Sequence, residues 1–276
     1  VAFLEMIVSF FFFFRINTSY TKNETLTMDK NELLKGKLLT KNIQIIFSNN
    51  IIFLSVIGLS VFWGVSQGLM AVFPSFAKEY LGVTGVFVIN AVIGASGIGI
   101  AIGSLIYSKI SKHYIEIGTI PFSALGMALM IYVSTIVQTP FLLGMSFLVF
   151  GIFGGLFVVP LNALIQFNAK KKVLGTILAG NNWFHSLAMF LMLALTTTVS
   201  FYDLDPLNTL YLILLITVIG TSYTIYKLPQ SLILLFLKRI VGLKYQLEVN
   251  GVRNIPSSGG VLLLGNHISW IDWAVV

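Results

Sequence analysis

The polarity of this chain is not spread with the periods of a soluble amphipathic helix or strand. It comes in long apolar blocks separated by short polar ones. A bilayer-crossing helix needs about 20 mostly apolar residues, and six blocks meet that length: about 49–74, 86–108, 115–137, 141–167, 174–200 and 208–227. Residues 1–14 (VAFLEMIVSFFFFF) read as the end of an earlier span. They have no basic lead-in and no small-residue cleavage site, which makes a truncated span the expected reading over a secretory signal peptide. Residues 15–48 are too charged for membrane and too short for a domain, so they are predicted to be a linker.

The pattern changes near residue 229. Pro229 cannot continue a helix, and the apolar stretch 231–243 is too short to cross a bilayer, so it is predicted to lie along its surface. Lys244–Val249 alternates like a strand, Asn250-Gly251 is a turn signal, and Val261–Leu264 reads as a short buried strand. The expected fold is mainly α: a polytopic helical membrane protein, its six helices in 49–228, followed in 229–276 by the start of an α/β domain. The chain opens on Val1 inside an apolar block and stops soon after a new domain begins, so it reads as a piece of a longer protein.

Composition agrees with a lipid-solvated chain: 57% of its 276 residues are hydrophobic and 10% charged, against roughly 25% charged in soluble domains. Cysteine is absent, which excludes disulfides and cysteine-based zinc or redox sites. No metal site and no nucleic-acid partner are predicted. Charge placement says more than the net +7. Following the alternation of spans, one side receives Arg15, Lys22, Lys30, Lys35, Lys37 and Lys41, then Lys109 and Lys112, then Lys170, Lys171 and Lys172, then Lys227 and the C-terminal Lys238, Arg239, Lys244 and Arg253. The other side has Lys78 alone, so sixteen of the seventeen Lys and Arg fall together. The positive-inside rule makes that side cytoplasmic.

Polar side chains within membrane helices are costly and are functional candidates by default. Here they are Gln67, Asn90, Asn162, Gln166, Asn181, Asn182 and His185. Helical spacing puts Asn181, Asn182 and His185 on one face, a candidate path for a headgroup or a proton. Interhelical hydrogen bonding is the plainer alternative. The cluster Gly94, Gly97, Gly99 and Gly103, with Ala95, Ser96 and Ala101, is expected to serve close helix packing rather than phosphate binding. Outside the cut first segment no span carries a secure Asp or Glu, which leans towards a lipid-like substrate rather than proton-coupled export.

Two resemblances follow. Gly103-Ser104-Leu105, Lys109-Ile110-Ser111, Glu116 and Pro121 sit in a loop on the basic side, where major facilitator transporters keep a Gly-rich, basic motif; the usual Asp of that motif is missing. The stretch 1–228 resembles that superfamily, and two short segments, this loop and "VPLNALIQ" (Val159 to Gln166), resemble its lysophospholipid transporter branch. The resemblance implies the second half of a twelve-helix fold built from two six-helix halves.

The C-terminal end resembles the glycerolipid acyltransferases. Asn266-His267-x-Ser269-x-x-Asp272 matches their Asn-His-x-x-x-x-Asp signature, and Val249, Gly251, Asn254, Ile255 and Pro256 with "GGVLLLGNH" match the approach to it. Acyl transfer to a glycerol hydroxyl needs a base that titrates near working pH. By that resemblance His267 takes the proton and Asp272 holds the imidazole and stabilises its cation. On one helix the two would point about 140° apart, so His267 must lie in the non-helical lead-in, with Ser269 as N-cap and Asp272 near capping-box spacing.

Together the resemblances imply a bacterial fusion of lysophospholipid transporter and acyltransferase, in some cases followed by an acyl-ACP synthetase. Such a protein would sit in the inner membrane as a multi-pass protein with its C-terminal segment cytoplasmic. It would reacylate a lysophospholipid such as 2-acyl-glycerophosphoethanolamine with no bound cofactor, using acyl-ACP or acyl-CoA as donor, with acyl carrier protein as an expected partner. The piece in hand is expected to be inactive in acyl transfer. The alternative is a major facilitator exporter of drugs or other small solutes with an incidental C-terminal motif, or a membrane anchor with no transport of its own.

Overall fold

The structure is a computed structural model that describes residues 43–112 and 114–244. Among the described residues six helices are long and apolar enough to cross a membrane. They are α1 (Asn50–Leu81), α2 (Val86–Ile110), α3 (Thr119–Ile136), α4 (Pro140–Asn168), α5 (Leu174–Phe201, entered through a 3-10 turn at Lys171–Val173) and α6 (Pro206–Lys227). A seventh, α7, runs Pro229–Lys244.

The sequence places the helix ends by local chemistry. Asn49 caps α1, its side-chain oxygen accepting from the backbone N–H groups of Ile51 and Ile52 at 3.0 and 3.2 Å. Gly82 closes the same helix in the left-handed region (φ 63°), with the Val83 N–H reaching back to the Ala77 carbonyl, a geometry that favours glycine. Thr139-Pro140 opens α4 and Asp205-Pro206 opens α6. In each the cap accepts a backbone N–H and the proline occupies a position whose own N–H has no helical partner.

The boundaries differ from expectation in four places. At 32 residues, α1 reaches Leu81 rather than about 74; at about 1.5 Å per residue it is about 48 Å long, so its charged end Lys78-Glu79 can stand clear of a hydrocarbon core of about 30 Å. The third helix starts at Thr119, because 111–118 form the loop that carries Glu116. Residues 43–47, placed in the polar linker, are helical, and Ile46 is fully buried. Lys244, expected to start a strand, is instead the last residue of α7; the rest of the predicted α/β domain lies outside the described residues.

Helices α1, α4, α3 and α6 form a closed ring, α1 packing on α4, α4 on α3, α3 on α6 and α6 back on α1. Half of the membrane window of α1, α3 and α4 is buried, against 22% for α2 and 11% for α5. The last two are therefore outriders, α2 against α4 and α5 against α1. The α2–α4 contact is backbone on backbone: a Cβ added to Gly103 would lie 2.1 Å from the Ile152 carbonyl oxygen, and one on Gly151 would lie 2.0 Å from the Ser96 oxygen. Small residues allow that approach. Gly94 and Gly97 do not share the role; a Cβ added at either would meet nothing within 4 Å, because they sit on the opposite, exposed face of α2.

Cross-helix hydrogen bonds fasten the ring. Ser134 and Ser146 hydroxyls meet at 3.0 Å between α3 and α4, and the Thr221 hydroxyl of α6 donates to the Ala124 carbonyl of α3 at 3.1 Å. At the far end the Tyr80 hydroxyl donates to the Asp205 carboxylate, joining the end of α1 to the start of α6.

Candidate functional site

The polar candidates are distributed over four helices, α1, α2, α4 and α5, and the structure treats them differently. On α5, Asn181 is 3% exposed, His185 is half-buried one turn further on, and Asn182 is exposed. The three therefore do not form one surface: Asn181 and His185 share a stripe, and Asn182 is turned about 100° away from Asn181. Two atoms of that stripe, Asn181 Oδ1 and His185 Nε2, are buried with no hydrogen-bond partner. Leaving a buried polar atom unpaired costs about 1–3 kcal/mol, and such groups concentrate where a protein has a use for them.

The neighbour of this stripe is α1. The two helices meet at Gly64, where a Cβ would lie 3.3 Å from the Ala188 carbonyl oxygen, and at Gly68, where it would lie 2.8 Å from Met192 Cγ. One turn before that contact the ring of Trp63 lies 6.4 Å from the ring of His185, tilted by 40°. Trp63 is partly exposed, and Gln67 follows it one turn on, half-buried. The α1–α5 seam thus combines an indole, an imidazole and two amides (Gln67 and Asn181) along an edge of the bundle.

The remaining polar candidates do not join it. On α4, the Asn162 side chain donates to the Val158 carbonyl at 3.0 Å, a bond within its own helix that satisfies the amide locally. Gln166 is exposed one turn later. Among the described residues no hydrogen bond links either to Asn181 or His185. Asn90 is exposed near the start of α2. No group of three or more metal-binding side chains occurs among the described residues.

The Gly103 to Glu116 stretch is a structural corner rather than an open basic loop. Gly103 is locked against α4, Lys109 is exposed in the last turn of α2, and the Ser111 hydroxyl donates to the Tyr114 carbonyl. Glu116 is 6% exposed, its carboxylate 3.5 Å from the Lys238 ammonium of α7. Partial burial pulls the Lys238 pKa down, but the Glu116 carboxylate and the Tyr114 hydroxyl more than offset this and hold it above its ordinary value.

A family model described as the Major Facilitator Superfamily matches residues 1–193. The chain belongs to the Major Facilitator Superfamily. Among curated proteins it is similar to the lysophospholipid transporter LplT of Photorhabdus laumondii, 29% identical over 150 residues, and to that of Klebsiella pneumoniae, 32% identical over 144 residues. The Serratia proteamaculans protein of the same name is 32% identical over 147 residues. These matches cover 51–52% of this chain and 35–36% of each relative, so the chain spans about a third of the length of the curated relatives it matches. No solved structure matches.

The acyltransferase candidates Asn266, His267, Ser269 and Asp272 lie outside the described residues. Sequence reasoning missed Trp63, which reads as one more apolar residue in an apolar helix. The signal that could have found it is its position one residue before Gly64, on the only stretch of α1 with glycines four apart (Gly64 and Gly68). The Glu116–Lys238 pair was also missed, since the two lie 122 residues apart.

Proposed function

We propose that this major facilitator chain moves lysophospholipid across the bacterial inner membrane, and that the α1–α5 seam receives the polar headgroup. The observation that carries the seam is the buried, unpartnered pair Asn181 Oδ1 and His185 Nε2 beside the partly exposed Trp63. An amide oxygen and an imidazole nitrogen can accept from an ammonium or hydroxyl group, and an indole face suits a cation. The substrate class rests on the relatives named lysophospholipid transporter. The absence of acidic residues from α1–α6 between Asn50 and Pro206, apart from Glu79 and the loop residues Glu116, Asp203 and Asp205, fits a lipid better than a proton-exchanged solute.

The second half of the proposal is acyl transfer on the basic side, supported by the Asn266-His267-x-Ser269-x-x-Asp272 signature. His267 takes the proton of the free hydroxyl of the lysophospholipid, whose oxygen attacks the thioester carbonyl of acyl-ACP or acyl-CoA; the new ester forms as the C–S bond breaks, and His267 returns the proton to the departing thiol. Asp272 orients the imidazole and stabilises its cation. The hydroxyl is itself the nucleophile, so no protein nucleophile is needed.

The test is a reconstitution in phospholipid vesicles with labelled lysophosphatidylethanolamine. Inward movement that falls at least about tenfold in His185→Ala and Asn181→Ala, the loss expected from one or two headgroup hydrogen bonds, supports the seam. Movement indifferent to both variants would sink it, and no movement at all would favour a solute exporter or a simple anchor. Labelled acyl-ACP or acyl-CoA, added to vesicles carrying a protein that includes the whole acyltransferase domain, tests the second half: transfer must be present and must vanish in His267→Ala.

A further inference from the structure

The ring formed by α1, α4, α3 and α6 is not filled. A half-open cavity of about 440 Å³ lies between these helices, far more room than a close-packed interior leaves, where few voids exceed a water molecule. Its walls are apolar side chains of all four helices, Phe62, Met127 and Phe157 among them, with Gly220 on the α6 side. The polar groups lie at one end and along one edge. Asn50 and Lys227 mark the mouth, and the α6 threonines Thr217, Thr221 and Thr224 run inward from it.

Three features say what such a cavity takes. The mouth lies at the start of α1 and the end of α6, the side that holds Lys109, Lys112 and Lys170–Lys172, so it opens towards one leaflet only. Its depth follows from the lining: from Lys227 back to Thr217 on α6 is about 15 Å and from Asn50 to Val65 on α1 about 22 Å at 1.5 Å per residue. One leaflet of hydrocarbon is about 15 Å thick, half of the core. The charge at the mouth is cationic: Lys227 stands 5.7 Å from the ring centres of Tyr223 and Tyr226, and among the described residues the one ion pair is Lys238–Glu116. A narrow apolar slot, one leaflet deep, with an ammonium at its opening, is complementary to one hydrocarbon chain ending in a phosphate.

We infer that this cavity is an acyl-chain site, occupied by the chain of a single-chain phospholipid from the leaflet on the basic side, with the phosphate at Lys227. The inference deepens the transport reading and rests on it for the choice of lipid, but the site is distinct from the α1–α5 seam. The two share α1 as a wall. Phe62 lines the cavity, its ring 5.3 Å from Trp63, and Trp63 in turn faces His185. A chain seated in the ring therefore lies two aromatic rings away from the seam proposed for the headgroup in transit.

The experiment uses the chain reconstituted in phosphatidylcholine vesicles and two probes with the same diazirine-tagged palmitoyl tail, one a lysophosphatidylethanolamine and the other a monoacylglycerol. After photolysis, adducts are mapped by mass spectrometry. The expected adducts fall on buried cavity residues such as Met127 and Phe157. Adducts confined to the exposed faces, for example Leu125 and Leu129, would overturn the site.

Gly220→Leu fills the slot with little strain, since a Cβ there meets nothing nearer than Val61 Cγ1 at 3.7 Å. It should remove the cavity adducts of both probes while leaving Tm unchanged or higher; cavity adducts that survive it in a folded protein count against the site. Lys227→Gln should weaken labelling by the phosphate-bearing probe about tenfold, the scale of one charge-assisted hydrogen bond, and leave the monoacylglycerol unaffected. Equal effects on both probes would overturn the role of Lys227. Cavity adducts without lipid movement would sink the transport reading alone, and movement without cavity adducts would sink this inference alone.

Discussion

At the residue scale the chain is built on positions where a single Cβ decides the outcome. Gly103 and Gly151 sit where α2 and α4 touch backbone to backbone, so any larger side chain must push two long helices apart. Gly103→Leu is expected to destabilise the bundle by at least about 1–3 kcal/mol, the usual cost of overpacking, read as a drop in Tm in detergent. Gly97→Ala, on the open face of the same helix, should instead leave Tm unchanged or raise it, since alanine is favoured over glycine in a helix by up to about 1 kcal/mol. Equal losses in the two variants would contradict the packing.

The seam on α5 predicts the opposite balance. Asn181→Leu removes a buried oxygen with no partner and should stabilise the protein by about 1–3 kcal/mol while reducing lipid movement, the trade expected of a strained functional group. A variant that loses both would make Asn181 a packing residue.

At the scale of elements, the helices were legible because lipid imposes a length rule. Six blocks of about 20 apolar residues became six helices, and Pro140, Pro206 and Pro229 each mark a first turn. The ends were less legible, because a membrane helix such as α1 can run on past the hydrocarbon when capping residues, here Gly82, permit it. The pattern of glycines on α2 was half legible: it announced close packing but not which face, since the spacings of Gly94, Gly97, Gly99 and Gly103 do not define one stripe. The α7 contact was not legible at all. It joins Glu116 to Lys238, seats Ser231 against Gly118 and brings Phe122 edge-on to Phe236 at 5.9 Å.

That contact carries a pH prediction. The Lys238 pKa is raised in the folded state, so from neutral pH up to the ordinary lysine value near 10.4 the pairing helps hold α7, and the help is lost as pH rises through the higher folded value. Hydrogen exchange of 229–244 should therefore speed up above about pH 10.5 in the native protein and not in Lys238→Met. Because Lys238 is half exposed, the pair itself is weak, but Lys238→Met leaves the buried Glu116 carboxylate alone. Adding Glu116→Gln should recover most of the resulting loosening; a double variant as loose as the single one would place the latch elsewhere.

At the scale of the whole molecule, one asymmetry organises every functional statement. The basic loops at Lys109–Lys112 and Lys170–Lys172, the mouth of the four-helix cavity and the Glu116–Lys238 latch all belong to one end of the bundle, while Tyr80, Asp203 and Asp205 belong to the other. Transport to a cytoplasmic acyltransferase makes sense only if the basic end faces the cytoplasm, the orientation that the positive-inside rule assigns. The chain contains no cysteine, so single cysteines can report sidedness without background. Lys109→Cys and Lys171→Cys lie in exposed positions on the basic end and Asp203→Cys lies in an exposed turn on the other. In intact cells a membrane-impermeant maleimide should label only Asp203→Cys, and in inverted membrane vesicles only the other two. Labelling of Lys171→Cys from outside would reverse the topology. It would then remove both the acyl-transfer half of the proposal and the choice of leaflet for the cavity, leaving only the helices and their packing in place.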